Sequence, residues 1–113
     1  MTIIRATLSF EDLKQMAGRL FGDMVKAVVD VDRELLAVDA ELHADLEAGL
    51  LEDGSAQKSL WGINLYPDLE GDAFIEFDSM INLRPSQGNR SRNVEDDVIR
   101  KKIIAIVKKR IAR

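Results

Sequence analysis

The chain has no cysteine, two prolines, one histidine and only six aromatic residues among 113. Without cysteine there is no disulfide and no thiolate metal site, a usage that suits a cytoplasmic protein. With two prolines and seven glycines there is no linker or low-complexity segment, and no internal repeat is visible. No apolar run approaches the roughly 18 residues of a membrane span. The opening MTIIRATLSFEDL lacks the basic-then-apolar layout of a signal peptide. So few aromatics make a base-stacking platform a poor reading of Trp61 and Tyr66, which suit a core and its margin.

What is present fits one domain, residues 1–113, large enough to bury a core without metals or disulfides. Charged residues reach 32%, above the usual quarter or so. The net charge of −4 is unevenly spread. Residues 1–83 hold 6 Lys/Arg against 17 Asp/Glu, and residues 84–113 hold 10 against 3. Such a split describes either a basic docking surface on an acidic body or a basic segment that packs against that body and neutralises it. The acidic total argues against nucleic acid as a partner.

Hydrophobic periodicity places the elements. Thr2–Thr7 is a short strand. Ser9 is a helix N-cap, with Glu11 and Asp12 suiting the positive end of the dipole. Leu13, Met16, Ala17, Leu20 and Phe21 then form one stripe closed by Gly22. Met24–Asp32 and Glu34–Ala44 read as strands joined by a tight turn at Asp32-Arg33. Asp45 caps a short helix that Gly54 closes. Leu60–Tyr66 is a further strand. Ala73–Arg84 alternates without a break, so Ile75, Phe77, Ile81 and Leu83 are expected beneath helices and Glu76, Asp78, Asn82 and Arg84 opposite. Asn93 is expected to cap a last helix, whose Ile99, Ile103, Ile104, Ile106, Val107 and Ile111 make a broad apolar arc. The expectation is an α+β fold, with a mainly antiparallel sheet of four to five strands and three helices packed chiefly on one face.

If the strands bury their apolar sides under those helices, their polar sides converge. Glu41 and His43, at i, i+2, can then approach a common proton or an oxygen-rich Mg²⁺, Mn²⁺ or Fe²⁺ site. Glu76 and Asp78 repeat that spacing, and Asn64, Asn82 and Arg84 share the face. The loop RPSQGNRSR invites an anion. Arg90 and Arg92 offer bidentate contacts, Ser86 and Asn89 add donors, and Gly88 lets backbone amides approach. Each feature also has a plain structural use, as surface ion pairs or a loop pinned by arginine–carboxylate contacts. No dinucleotide or phosphate-loop glycine pattern occurs, and no cofactor is identifiable.

The strings AELHAD at 40–45, WGINLYP at 61–67 and FDSMINLRPSQGNRSR at 77–92, followed by VEDDVIRKKI, resemble a family of small bacterial proteins classed as a domain of unknown function. The resemblance spans roughly residues 2–111. It implies a stand-alone single-domain protein and brings no activity with it.

The reading that joins these observations is binding of a small anionic ligand on the polar sheet face and the arginine loop. His43, Glu41 and Asp78 would assist any catalysis there. The competing reading is a non-enzymatic module that assembles with itself or with a protein partner, and a weaker third is RNA contact through residues 84–113.

Overall fold

A computed structural model describes residues Met1–Arg113. Strands β1 (Thr2–Ile4), β3 (Val25–Asp30), β4 (Leu35–Val38), β5 (Leu60–Leu65) and β6 (Ile75–Glu76) form one sheet in the order β1-β4-β3-β5-β6. Every neighbouring pair in it is antiparallel. A separate parallel pair joins β2 (Leu8–Ser9) to β7 (Ile111–Ala112). With helices α1 (Phe10–Leu20), α2 (His43–Glu52) and α3 (Asp97–Arg110) the fold is α+β.

Helix α1 forms as its sequence directs. Ser9 Oγ accepts the Asp12 amide at 3.0 Å, Leu13, Met16 and Ala17 are buried, and Gly22 adopts φ +91° just past the end. That left-handed conformation costs glycine least. Helix α3 starts three residues later than its expected cap. Asp96, not Asn93, accepts the amides of Val98 and Ile99 at 2.8 and 3.2 Å. Val94, wholly buried, holds the intervening chain against the core.

The sheet is covered on both sides. Val25, Ala27, Val29, Trp61, Ile63 and Leu65 point one way, onto Leu13 and Met16 of α1 and Ile103, Ile106 and Val107 of α3. Val28, Leu35, Ala37 and Leu60 point the other way, onto Leu46 and Leu50 of α2. Burial on both faces explains why β4 and β5 are apolar almost throughout. Two of the three helices share one face. The third, α2, lies on the face expected to carry the polar residues.

Two expected strands are shorter than their alternation suggests. The run from Glu34 stops at Val38, since Asp39 takes φ +71° and ends extended pairing. Glu41 and Leu42 are exposed, and His43 begins α2 with Leu42, not Asp45, at the cap position. The run from Ala73 contains a single strand of two residues, Ile75–Glu76, between 3₁₀ turns at Gly71–Phe74 and Met80–Asn82. In consequence Leu83 is 40% exposed while Asn82 and Arg84 are buried, the reverse of the expected pattern.

Candidate functional site

Polar side chains take over where β6 stops. Strand β5 pairs with β6 only at Asn64 and Leu65, which leaves the edge at Leu60–Gly62 open. Asn82, with no exposed surface, fills part of it. Its Oδ1 accepts the Gly62 amide at 2.8 Å, and its Nδ2 donates to the Gly62 carbonyl at 2.9 Å, as a paired strand would. Arg84 fills the rest, donating to the carbonyls of Leu60, Ile81 and Gln57, with its guanidinium 4.6 Å from the Trp61 ring centre and 3.9 Å from Glu47. Burial lowers its pKa and Glu47 opposes that shift. Asn89 ties the loop together, donating to the carbonyls of Asn82, Ser91 and Asn93 and accepting the Glu95 amide. Asn82, Arg84 and Asn89 are therefore engaged in holding the chain. An open sheet edge left unpaired would be costly.

A second group gathers near the start of α2. Register places Lys26, Asn64 and Glu76 side by side on β3, β5 and β6. Asn64 Nδ2 donates to Glu76 Oε1 at 2.8 Å and to the Asp78 carbonyl at 3.3 Å, and Tyr66 donates to the same Glu76 oxygen at 2.9 Å. Asn64 Oδ1 is buried without a partner. Arg92 Nε donates to Asp78 Oδ1 at 2.7 Å. His43 is 9% exposed and donates from Nε2 to the Ile63 carbonyl at 2.8 Å, which fixes its neutral tautomer. Burial lowers its pKa, and the positive charges of Lys26 and Arg92 act in the same direction, against the Ile63 carbonyl and Asp78. Tyr66 is raised, by burial and then by Glu76.

The remaining expected residues point elsewhere. Glu41 is exposed and makes no ion pair. Arg90 is exposed and engages Glu95 through its backbone amide at 2.8 Å; the Ser91 hydroxyl and that amide hold the Glu95 pKa low. Ser86 is exposed on a shallow hollow of about 370 Å³ beside Arg84 and Met80. The expected residues thus separate into an engaged edge, a polar group beside His43, and solvent-facing positions. No three His, Asp and Glu side chains gather in a way that would hold a metal ion. No helix is long and apolar enough to cross a membrane.

A larger cavity lies elsewhere, a cleft of about 1,070 Å³ between α3 and the segment from Tyr66 to Phe77. Phe74, Ile75, Phe77, Ile104 and Val107 line it with apolar surface. Arg100, Lys101 and Lys108 line it from α3, and Glu70, Asp72 and Glu76 from the facing segment. The Arg100 guanidinium lies 4.2 Å from the Phe77 ring centre. One of its amino groups reaches Asn93 Oδ1 only at 3.4 Å, and its Nε is buried with no partner.

The chain matches the sequence model of a family described as a protein of unknown function, DUF5674, over residues 2–110. The chain belongs to this family. No curated protein and no solved structure matches it.

Sequence reasoning missed the cleft, because the basic C-terminal segment read as a docking surface or as a neutralising cover on the acidic body, and Phe74 and Phe77 as parts of one long strand. A usable signal was the charge split. Of the ten Lys and Arg in residues 84–113, only Arg84, Arg92 and Lys109 reach a carboxylate. Self-neutralisation is therefore local, and Arg100, Lys101 and Lys108 keep their charge available.

Proposed function

We propose that this protein binds a small ligand bearing an acidic group, and that the ligand sits in the cleft beneath α3. The observation that carries this reading is Arg100. Its guanidinium is stacked on Phe77 at the cleft and retains a buried Nε–H with nothing to donate to. A guanidinium at a cleft with no carboxylate partner and only a 3.4 Å contact to Asn93 leaves its amino groups free to donate to an acidic group. The apolar lining and the volume suit a small molecule. Charged hydrogen bonds in such a place contribute about 1.5–3 kcal/mol, or roughly ten- to hundredfold in affinity.

A second reading keeps the anion on the polar face, with His43 and Asp78 as proton-handling groups and Arg92 as the anchor. It is supported by the gathering of His43, Asn64, Asp78 and Arg92 near the start of α2. Arg92, however, is already paired with Asp78, and the cleft beneath α3 includes only Glu76 of the residues expected there.

Amide and arginine side-chain NMR shifts during titration with 4-phenylbutyrate, against its neutral alcohol, separate the two. The first reading expects shifts at Arg100 Nε, Phe77 and Lys108 with the acid only. It also expects Arg100→Met, which keeps the apolar stem, to weaken binding at least tenfold while the melting temperature stays put. Shifts confined to His43, Asn64 and Arg92 would move the site to the polar face, and no shifts with the acid would reject both.

A further inference from the structure

We infer that the ligand of the cleft is dipolar, a short peptide with free ends and an apolar middle, whose carboxylate meets Arg100 and whose ammonium meets Glu70 and Asp72. The inference rests on the cleft being a binding site, as proposed above, and adds the ligand's second charge and its size. Its basis is the distribution of charge around the cavity. The α3 wall contributes Arg100, Lys101 and Lys108 against one acid, Asp97, and Arg113 adds a cation at the C-terminal end. The charged groups of the wall from Tyr66 to Phe77 are only acids, Glu70, Asp72 and Glu76.

Opposite charges line one cavity, yet none of them pair. The five ion pairs of the chain are Arg5–Asp53, Arg33–Asp53, Arg84–Glu47, Arg92–Asp78 and Lys109–Glu34, all away from the cleft. Glu76 is engaged by Asn64 and Tyr66, while Glu70 and Asp72 have no side-chain partner. No cation of α3 that lines the cleft comes within ion-pair distance of these carboxylates.

A plain anion would gain at one wall and be repelled by the other, and a plain cation would meet the reverse. Only a molecule carrying both signs, separated by an apolar body, complements both walls and the floor. The cavity of about 1,070 Å³ exceeds what one amino acid would fill and lies at the upper end of ordinary ligand pockets. That volume favours a peptide of a few residues over a single amino acid.

The test is calorimetric titration of the full chain with Ala-Phe-Leu, its N-acetyl form, its C-terminal amide, free phenylalanine and 4-phenylbutyrate. The expected result is that the free tripeptide binds at least tenfold more tightly than either blocked form and than phenylalanine. Asp72→Asn combined with Glu70→Gln should erase the penalty of N-acetylation. Arg100→Met should erase the penalty of amidation. Both variants change exposed or cleft-lining groups, and an unchanged melting temperature will show that they remain folded. If N-acetyl tripeptide and phenylbutyrate bind as tightly as the free tripeptide, the dipolar inference fails while the acidic-ligand reading stands. If phenylalanine matches the tripeptide, the peptide assignment is wrong. If no acidic probe binds, both the inference and the reading beneath it are overturned.

Discussion

Arg84 and Arg100 each lay a guanidinium over an aromatic ring, Trp61 at 4.6 Å and Phe77 at 4.2 Å. Arg84 donates to three backbone carbonyls, has a carboxylate 3.9 Å away and is 8% exposed. Arg100 has one long contact, to Asn93, and an Nε without an acceptor. The same side chain on the same kind of surface is thus fully occupied along the β5 edge and under-occupied in the cleft. Buried polar groups that close backbone hydrogen bonds belong to the fold, and those left open in a cavity are available for something else. The comparison yields opposite expectations for stability and binding in the two regions.

The largest effect should fall on the occupied side. Asn82→Ala removes both bonds to Gly62 and the one to the Arg92 carbonyl, and it opens a cavity in a site with no solvent. A loss of about 3 kcal/mol is expected, read as a lower urea midpoint with an unchanged slope. A loss under about 1 kcal/mol would show that water or a shifted chain can replace the amide, and the contrast with Arg100 would weaken.

Gly62→Ala tests the same edge from the other side. An added Cβ would come within 2.5 Å of the Ser79 Cβ and Oγ, which pack over Gly62. A cost of about 1–3 kcal/mol follows. Ser79→Gly in the same chain should recover much of it, although the Ser79 hydroxyl bond to the Ile81 amide is then lost. Absence of any recovery would mean that the crowding arises elsewhere.

His43 sharpens the comparison through pH. Its folded pKa is lowered, chiefly by burial, so the neutral form is the one the fold stabilises. That contribution is complete above the unfolded value of about 6.5. It declines as pH falls toward the folded pKa, by at most about 1.4 kcal/mol per pH unit, because the unfolded chain takes up the proton first. His43→Gln, which retains a donor for the Ile63 carbonyl, should flatten this part of the stability curve relative to wild type. Identical curves between pH 5 and 7 would refute a buried neutral histidine.

The smallest effect is expected at Arg100. Arg100→Met should change stability by no more than about 0.5 kcal/mol, since the stem still covers Phe77 and no good hydrogen bond is lost. A loss above about 1.5 kcal/mol would make Arg100 as structural as Arg84 and remove the basis of the contrast.

Much of this fold was legible because period and burial coincide in α1, β3, β5 and α3. Leu13, Met16 and Ala17 repeat at helical spacing and are buried, as are Val25, Ala27 and Val29 at strand spacing. Alternation misleads in the run from Ala73, since polarity there does not report exposure. Asn82 and Arg84 turn inward to meet backbone groups of β5, and Leu83 turns outward. No period can reveal that a polar side chain will pair with a sheet edge, because the edge exists only in three dimensions. In the run from Glu34, the spacing of His43, Leu46 and Leu50 already suited a helix face, but the apolar alternation before it extended the strand too far. The candidate site suffered from the same limit. Its residues were chosen for chemistry on an assumed common face, and the fold divides them between a loop scaffold, a polar group at α2 and solvent.

The pairing of β2 with β7 has a consequence in time. Leu8 lies beside Ile111 and Ser9 beside Ala112, and Arg110 donates to the carbonyls of Arg5 and Ala6, contacts separated by 103 or more residues. Closing a loop of about a hundred residues costs roughly 2 kcal/mol more than closing one of about ten. These contacts should therefore form late, after the hairpin of β3 and β4 and its packing under α2. On the ribosome, the strand that Leu8 and Ser9 need is almost the last part of this sequence to be made. The first helix must wait, its neighbouring strand unpaired, until nearly the whole of this sequence has emerged.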